Sequence, residues 1–162
     1  MGCGGSKKHD EAVLEEFNQL LVAGQLKESQ GDARGALQLY EQCLACAQRV
    51  SNAQAAKAVE GSALGNLGSA YNGLGQHERA VEHLKRALAI SREIGDRQGE
   101  ATRLGNLGNA YRSLGQSERA IETATQLESV MQRDVGHAAH SSRRSRSETS
   151  VELSTLSVGQ KL

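Results

Sequence analysis

The sequence predicts an all-α fold, a solenoid of about three stacked helical hairpins with disordered termini. Two near-copies of one octapeptide, Leu64–Tyr71 and Leu104–Tyr111, lie forty residues apart. Self-similarity at such a period is typical of helical repeat arrays, whose units cannot bury their apolar faces alone. The composition agrees, since the 162 residues include no Pro and very few aromatics, which suits helices packed by Ala, Leu and Val.

The likeness between the copies continues past the octapeptide. Each copy places two Leu, a Gly and a Tyr on one helix and an Ala on the next: Leu64, Leu67, Gly68, Tyr71 and Ala80, then Leu104, Leu107, Gly108, Tyr111 and Ala120. A weaker third copy precedes them, with Gly24 and Gly31 in the places of Gly68 and Gly75. This spacing resembles the tetratricopeptide repeat, a helix-turn-helix unit.

The pattern divides the chain into five segments. They are a lipidated N-terminal segment over 1–9, a divergent first repeat over 10–50, a second repeat over 51–95, a third repeat over 96–134, and a disordered tail rich in Ser and Arg over 135–162.

The first repeat is predicted to begin with Asp10 as the N-cap of a helix that runs to about Gln30. Its partner helix, from Ala33 to about residue 50, carries Cys43 and Cys46. A C-x-x-C pair can bind zinc or act as a redox couple, but no second pair with ligand spacing accompanies this one. We therefore predict that both thiols are core residues, because free Cys packs as a small hydrophobe, and we expect no cofactor and no metal site.

The second repeat is predicted to place helices over 60–74 and 77–94, after a joint over 51–60 that favours helix. Gly68 lies in a helix interior despite a cost of roughly 1 kcal/mol relative to Ala, so a close approach by the neighbouring helix is expected. Gly75 should end the first of these helices in a positive-φ conformation. On the second helix, His77 and His83 are expected to face solvent.

The third repeat is predicted to place helices over 97–114, capped by Asp96, and over 117–133. On the last helix we expect Ile121, Leu127 and Val130 to face inward. No further amphipathic helix follows in the sequence, and a terminal repeat normally needs a cap. The tail, a partner or a second copy in a homodimer would therefore cover this last repeat, unless the chain is a fragment.

The first eight residues carry a lipidation signal. Gly2 and Ser6 fit the M-G-x-x-x-[ST] pattern for N-myristoylation, and Cys3 offers a palmitoylation site that would supply the second anchor. Lys7 and Lys8 would each add about 1 kcal/mol of attraction to an anionic leaflet. The alternative is a disordered Gly-rich terminus. Because no apolar run is long enough to span a bilayer, we predict a protein anchored by lipid to the cytoplasmic face of a membrane, in first place the plasma membrane.

Polar residues recur on the first helices of the second and third repeats, away from the Leu and Tyr stripe. In a stacked array these positions line a concave groove, where amide and guanidinium groups can bind an extended or helical peptide. The alternative is that they are ordinary surface positions. The predicted peptide-binding residues are Asn66, Ser69, Asn72, Asn106, Asn109 and Arg112.

The tail offers a regulatory site, because Arg143, Arg144 and Arg146 place Ser145 and Ser147 in a basic context suited to phosphorylation. A solvated charge run or an attachment to anionic lipid are the alternatives. The chain has 19 basic and 19 acidic residues, so its net charge suggests no nucleic-acid partner.

The Leu-Gly-Asn triplets at 64–66 and 104–106, with the stretch 89–97, resemble the repeats of the Leu-Gly-Asn (Pins-type) G-protein signalling modulators. That resemblance implies an adaptor that binds peptides of cytoskeletal and polarity proteins through Asn66, Asn106, Asn109 and Arg112. The sequence contains no plausible catalytic constellation, so we expect a scaffold and not an enzyme. The alternative is a regulatory subunit or signalling modulator that controls a membrane-associated enzyme or G protein.

Overall fold

A computed structural model describes residues 3–133, and side chains from residue 6 onward. These residues form six helices and no strands: α1 Cys3–Ser29, α2 Ala33–Ala47, α3 Ala53–Gly73, α4 His77–Ile94, α5 Arg97–Ser113 and α6 over 117–133. The chain divides into two units after Leu127, and of the second unit the structure describes only residues 128–133. The predicted all-α fold is confirmed.

Consecutive helices pair and the pairs stack in chain order. The helix α1 packs on α2, α3 on α4, and each hairpin meets the next through α2 with α3 and through α4 with α5. The first helices of neighbouring hairpins also touch, α1 with α3 and α3 with α5. This arrangement is a solenoid, in which each hairpin contacts only its neighbours.

Glycines and caps set the turns where the sequence places them. Gly75 has φ 73°, and the amide of Gln76 donates to the carbonyl of Tyr71 at 2.9 Å, which closes α3 as glycine-ended helices commonly close. The carboxylate of Asp96 accepts from the amide of Gly99 at 2.9 Å and caps α5 as predicted. Asn52 caps α3 in the same way, so most of the joint over 51–60 belongs to that helix.

The predicted helix start at Asp10 is wrong. The helix α1 begins at Cys3, about two turns before Asp10. Asp10 instead accepts hydrogen bonds from the amides of Ser51 at 2.7 Å and Asn52 at 3.1 Å. Those bonds, first the one from Ser51, hold the pKa of the carboxyl below its usual value. Asp10 therefore joins α1 to the entrance of α3.

The two cysteines of α2 are core residues, as predicted. Cys43 is 0% exposed and Cys46 is 1% exposed, in a cluster that also holds Phe17 of α1 and Val59 of α3. Burial raises the pKa of the Cys43 thiol to about 11. At neutral pH the group is therefore a protonated, unreactive packing residue.

Each of the first two hairpins crosses on a glycine, as predicted for Gly68. A Cβ added at Gly68 would lie 2.5 Å from Cγ of Leu84. In the first hairpin the ring of Tyr40 covers Gly24 in the same manner. Both Leu84 and Tyr40 are fully buried, so the absent side chain leaves room for a large one from the second helix.

The prediction for Ile121 is wrong. Its side chain is 67% exposed, whereas Leu127 is half-buried and Val130 is buried. In the third hairpin Thr123 lies against Gly108, 3.1 Å from a Cβ built there, and Ala124 is exposed. The reason is that α4 packs between α3 and α5, while within residues 3–127 no later helix covers the outer side of α6.

The histidines of α4 do not face solvent, contrary to expectation. His77 is half-buried and its Nδ1 lies 2.7 Å from Oδ1 of Asn72. His83 is half-buried and stacks on Tyr71, with ring centroids 5.1 Å apart. Its Nδ1 has no hydrogen-bond partner among the described residues, and burial lowers the pKa of the imidazole. The flat tyrosine ring on α3 provides the surface that holds this side chain down.

Candidate peptide-binding groove

The first helices of the three hairpins, α1, α3 and α5, touch in series and present one surface. The six predicted peptide-binding residues lie on α3 and α5 of this surface. They are not equally available, because the structure brings most of them into bonds with the chain itself.

Two of the predicted residues join neighbouring hairpins. Nδ2 of Asn106 donates to Oγ of Ser69 at 2.9 Å, and both side chains are half-buried. Asn66 donates from Nδ2 to the carbonyl of Ser62 in its own helix at 2.9 Å. The bond between Asn106 and Ser69 therefore holds α5 to α3, whereas the bond of Asn66 stays within α3. All three side chains are half-buried.

The remaining predicted residues lie near the outer ends of α3 and α5. Asn72 is bonded to His77. Arg112 donates to Oδ1 of Asn109, and both residues are exposed. Because a guanidinium carries five N–H donors and this bond uses one nitrogen, Arg112 keeps donors free for a carboxylate.

Sequence reasoning missed Arg103, which crosses from α5 to α3. Its guanidinium lies over Gly65, where a Cβ would overlap it, and Nη2 donates to the carbonyl of Gly61 at 3.4 Å. Burial lowers the pKa of Arg103. Gly61 and Gly65 could have predicted this crossing, because residues four apart lie on one helix face and two glycines there leave a channel for a long side chain.

A second concavity lies on the outer side of the last hairpin, which we call the end groove. It encloses about 540 Å³ and is lined by Gly105, Asn109 and Arg112 of α5 and by Ile121, Ala124 and Leu127 of α6. Two predicted peptide-binding residues, Asn109 and Arg112, thus lie where the first-helix surface meets the end groove.

Other predicted sites lie partly or wholly outside the described residues. Gly2, Ser145 and Ser147 belong there, and Cys3 enters only as the first residue of α1. Across residues 3–133, no group of three or more His, Cys, Asp or Glu could hold a metal ion. No helix in that range is long and apolar enough to cross a membrane.

The hairpins, their glycine-seated crossings and their stacking in chain order define a class, the α-helical repeat solenoids. Two family models, both described as Tetratricopeptide repeat, match residues 59–133 and 23–54. The chain is thus built from repeats of the tetratricopeptide family, as its spacing predicted. A comparison with curated protein sequences finds no significant match.

Solved structures agree on the fold. The tetratricopeptide domain of Arabidopsis FLU is 20% identical with a TM-score of 0.67, over 75% of this chain and 98% of that one. BtubC (BKLC) from P. vanneervenii is 22% identical with a TM-score of 0.61, over 80% of this chain and 58% of that one. Tetratricopeptide domains bind protein partners, so the fold supports a protein-interaction adaptor or scaffold.

Proposed function

We propose that the protein is a membrane-anchored adaptor, without catalytic activity, that captures a peptide segment of a partner on its first-helix surface. The observation that carries the proposal is the exposed pair Asn109 and Arg112. These side chains offer an amide and a guanidinium with donors left over, a combination suited to a peptide backbone and a carboxylate. The Leu-Gly-Asn resemblance extends the proposal to peptides of cytoskeletal and polarity proteins.

The anchor in this proposal is a pair of acyl chains on Gly2 and Cys3. One myristoyl chain gives only marginal, reversible binding, and a second chain with nearby lysines makes it stable. Lys7 and Lys8 are exposed on the first turns of α1. The protein would then act at the cytoplasmic face of the plasma membrane.

Partner capture is tested with the tagged full-length chain, by cross-linking in cells and identification of the bound proteins. We expect the amount of each specific partner recovered with Asn109→Ala/Arg112→Ala to fall at least about tenfold relative to the wild type, as for the loss of about 1.4 kcal/mol of binding free energy. The matched control, Arg34→Ala/Gln38→Ala, removes an exposed arginine and amide from α2 and should keep them. Identical partner sets for both double variants would refute the groove.

An adaptor should hold two proteins at once, whereas a regulatory subunit should change the activity of one enzyme or G protein.

The anchor is tested separately by labelling cells with alkynyl fatty acids and by fractionation. Gly2→Ala should carry no myristate label and should no longer be found in the membrane pellet. Cys3→Ser should keep the myristate label and bind membranes reversibly. Retention of Gly2→Ala in the pellet would refute the anchor and leave peptide capture unaffected.

A further inference from the structure

Within the described residues, the array leaves an apolar surface uncovered at each end. At the last hairpin it is the end groove. At the first hairpin it is the outer side of α1, where Val22 is 64% exposed and Leu26 is 57% exposed. Contiguous exposed apolar residues on a soluble domain commonly mark an interaction surface.

The outer side of α1 corresponds in register to surfaces that are buried inside the array. We call Glu15, Gln19, Val22 and Leu26 the leading stripe of α1. The same positions, 44 and then 40 residues further on, are Val59, Ala63, Asn66 and Ala70 of α3, and Gly99, Arg103, Asn106 and Ala110 of α5. Ala63, Ala70 and Ala110 are at most 1% exposed, and Val59 is 4% exposed. In α3 and α5 this stripe meets the preceding hairpin, while α1 has no hairpin before it in the described chain.

The end groove corresponds in register to the seat that receives α5. On that seat Gly65 is covered by the guanidinium of Arg103. Gly105 holds the same position in the next hairpin, and a Cβ built there meets nothing within 4 Å. Similarly, Ser69 accepts a hydrogen bond from Asn106, while its counterpart Asn109 is exposed on the rim of the end groove. The seat is therefore repeated in the last hairpin, where no other part of the described chain fills it.

We propose that the end groove of one copy receives the leading stripe of α1 from a second copy, so that the chains stack head to tail. Val22 would lie beside Asn109 of the other copy, in the place that Asn106 occupies beside Ser69. Leu26 and Val22 together would cover the apolar side chains of Ile121 and Ala124. Inside the chain α5 contacts both helices of the preceding hairpin, and its contact with α4 is more extensive than its contact with α3. By the same arrangement, α1 of the second copy would contact α6 more than α5.

A second copy fits better than an unrelated helix because it continues an interface that the chain already makes twice. The groove accepts a helix with the stripe spacing of α1, α3 and α5, and α1 alone of these three has an uncovered stripe. Two different surfaces meet in such a contact, which makes it heterologous. Heterologous contacts produce rings or open filaments, not closed two-fold dimers.

The test is self-association of the full-length chain, measured by sedimentation over increasing concentration. We compare the wild type with Val22→Glu, which blocks the leading stripe, and Ile121→Glu, which blocks the end groove. Both residues are more than 60% exposed, so each variant should fold, and circular dichroism checks that it does. Ala45→Glu places the same charge on an exposed position of α2 and serves as the matched control.

The wild type and Ala45→Glu should reach masses above that of a dimer as concentration rises. Each blocked variant alone should remain a monomer. An equimolar mixture of the two should form a one-to-one heterodimer and stop there, because each variant keeps the surface that the other lacks. A wild type that stays monomeric up to about 1 mM, where even weak complexes form, would overturn the proposal and leave the groove for another partner. Self-association of either blocked variant would indicate symmetric pairing and would also overturn it, as would a mixture that stays monomeric.

Discussion

Replacing Gly68 by Ala tests the glycine-seated crossing of the second hairpin. The added Cβ would lie 2.5 Å from Cγ and 2.9 Å from Cδ2 of Leu84, and 3.3 Å from the carbonyl oxygen of Ala80. The first two contacts are with a fully buried side chain, which has little room to move. The backbone oxygen limits any sideways adjustment of α3.

Two effects of opposite sign determine the result. Ala is favoured over Gly in a helix interior by about 1 kcal/mol. Overpacking a filled core costs about 1–3 kcal/mol. At Gly105, also inside a helix, a Cβ meets nothing within 4 Å, so Gly105→Ala should show the first effect alone. We therefore expect Gly68→Ala to be less stable than Gly105→Ala by about 1–3 kcal/mol, the packing cost by itself.

The assay is urea unfolding at low protein concentration, with the same m-value required of all variants. A third variant, Leu84→Ala, removes the obstructing side chain at a cost of about 2–5 kcal/mol. In that background Gly68→Ala should be less unfavourable by about 1–3 kcal/mol, because the overlap with Leu84 is gone and only the contact with the carbonyl oxygen of Ala80 remains. Equal stability of Gly68→Ala and Gly105→Ala, or no coupling with Leu84→Ala, would refute a close crossing at Gly68.

Three further predictions follow from buried or bonded side chains. Because the pKa of His83 is lowered by burial, the unfolded chain binds its proton first, so the free energy of unfolding should fall as pH drops below about 6.5, and His83→Gln should lose this slope. Tyr40→Phe removes a hydrogen bond of 2.9 Å to Glu28 and should cost about 1 kcal/mol in urea unfolding. The amides of Ser51 and Asn52, just before α3, donate to the carboxylate of Asp10, so Asp10→Ala should speed hydrogen exchange at both.

Each of these has its own control. For His83 the comparison is restricted to pH 5–7, above the range in which carboxyl groups with ordinary pKa values titrate, and an unchanged slope in His83→Gln would reject burial as the cause. For Tyr40, the control is Glu28→Gln, which keeps an acceptor and should cost less. For Asp10, exchange that is as slow in the alanine variant as in the wild type would show that the carboxylate does not hold those amides.

Local rules predicted much of the fold because each feature leaves a mark at its own position. Gly75 ends a helix since it tolerates positive φ, and Asp96 caps the next since its side chain reaches an amide three residues on. Gly68 predicted a close crossing because a glycine there has a cost that something must offset. Gly75 and Asp96 act on backbone groups a few residues away. Gly68 is recognised because the same glycine recurs at the repeat period as Gly108.

The features that sequence reasoning missed depend on distant neighbours. Asp10 looks like a cap, but its partners lie about forty residues away. Ile121 fits an apolar stripe, yet periodicity does not reveal whether another helix covers that stripe. Asn106 has the character of a groove residue, and only the structure shows that it bonds to Ser69. A polar position on a repeat can serve a ligand or a joint, and the residue type is the same for both.

The position of Asp10 inside α1 changes the mechanics of the proposed tether. Asp10 follows Cys3 by seven positions, a distance of only about 10 Å along a helix. If acyl chains enter the bilayer at this end, the described backbone from Cys3 to the first repeat is continuous helix. A short rigid helix would fix both the height and the tilt of the array above the lipid headgroups. Partners that diffuse along the membrane would then meet the same side of the protein each time.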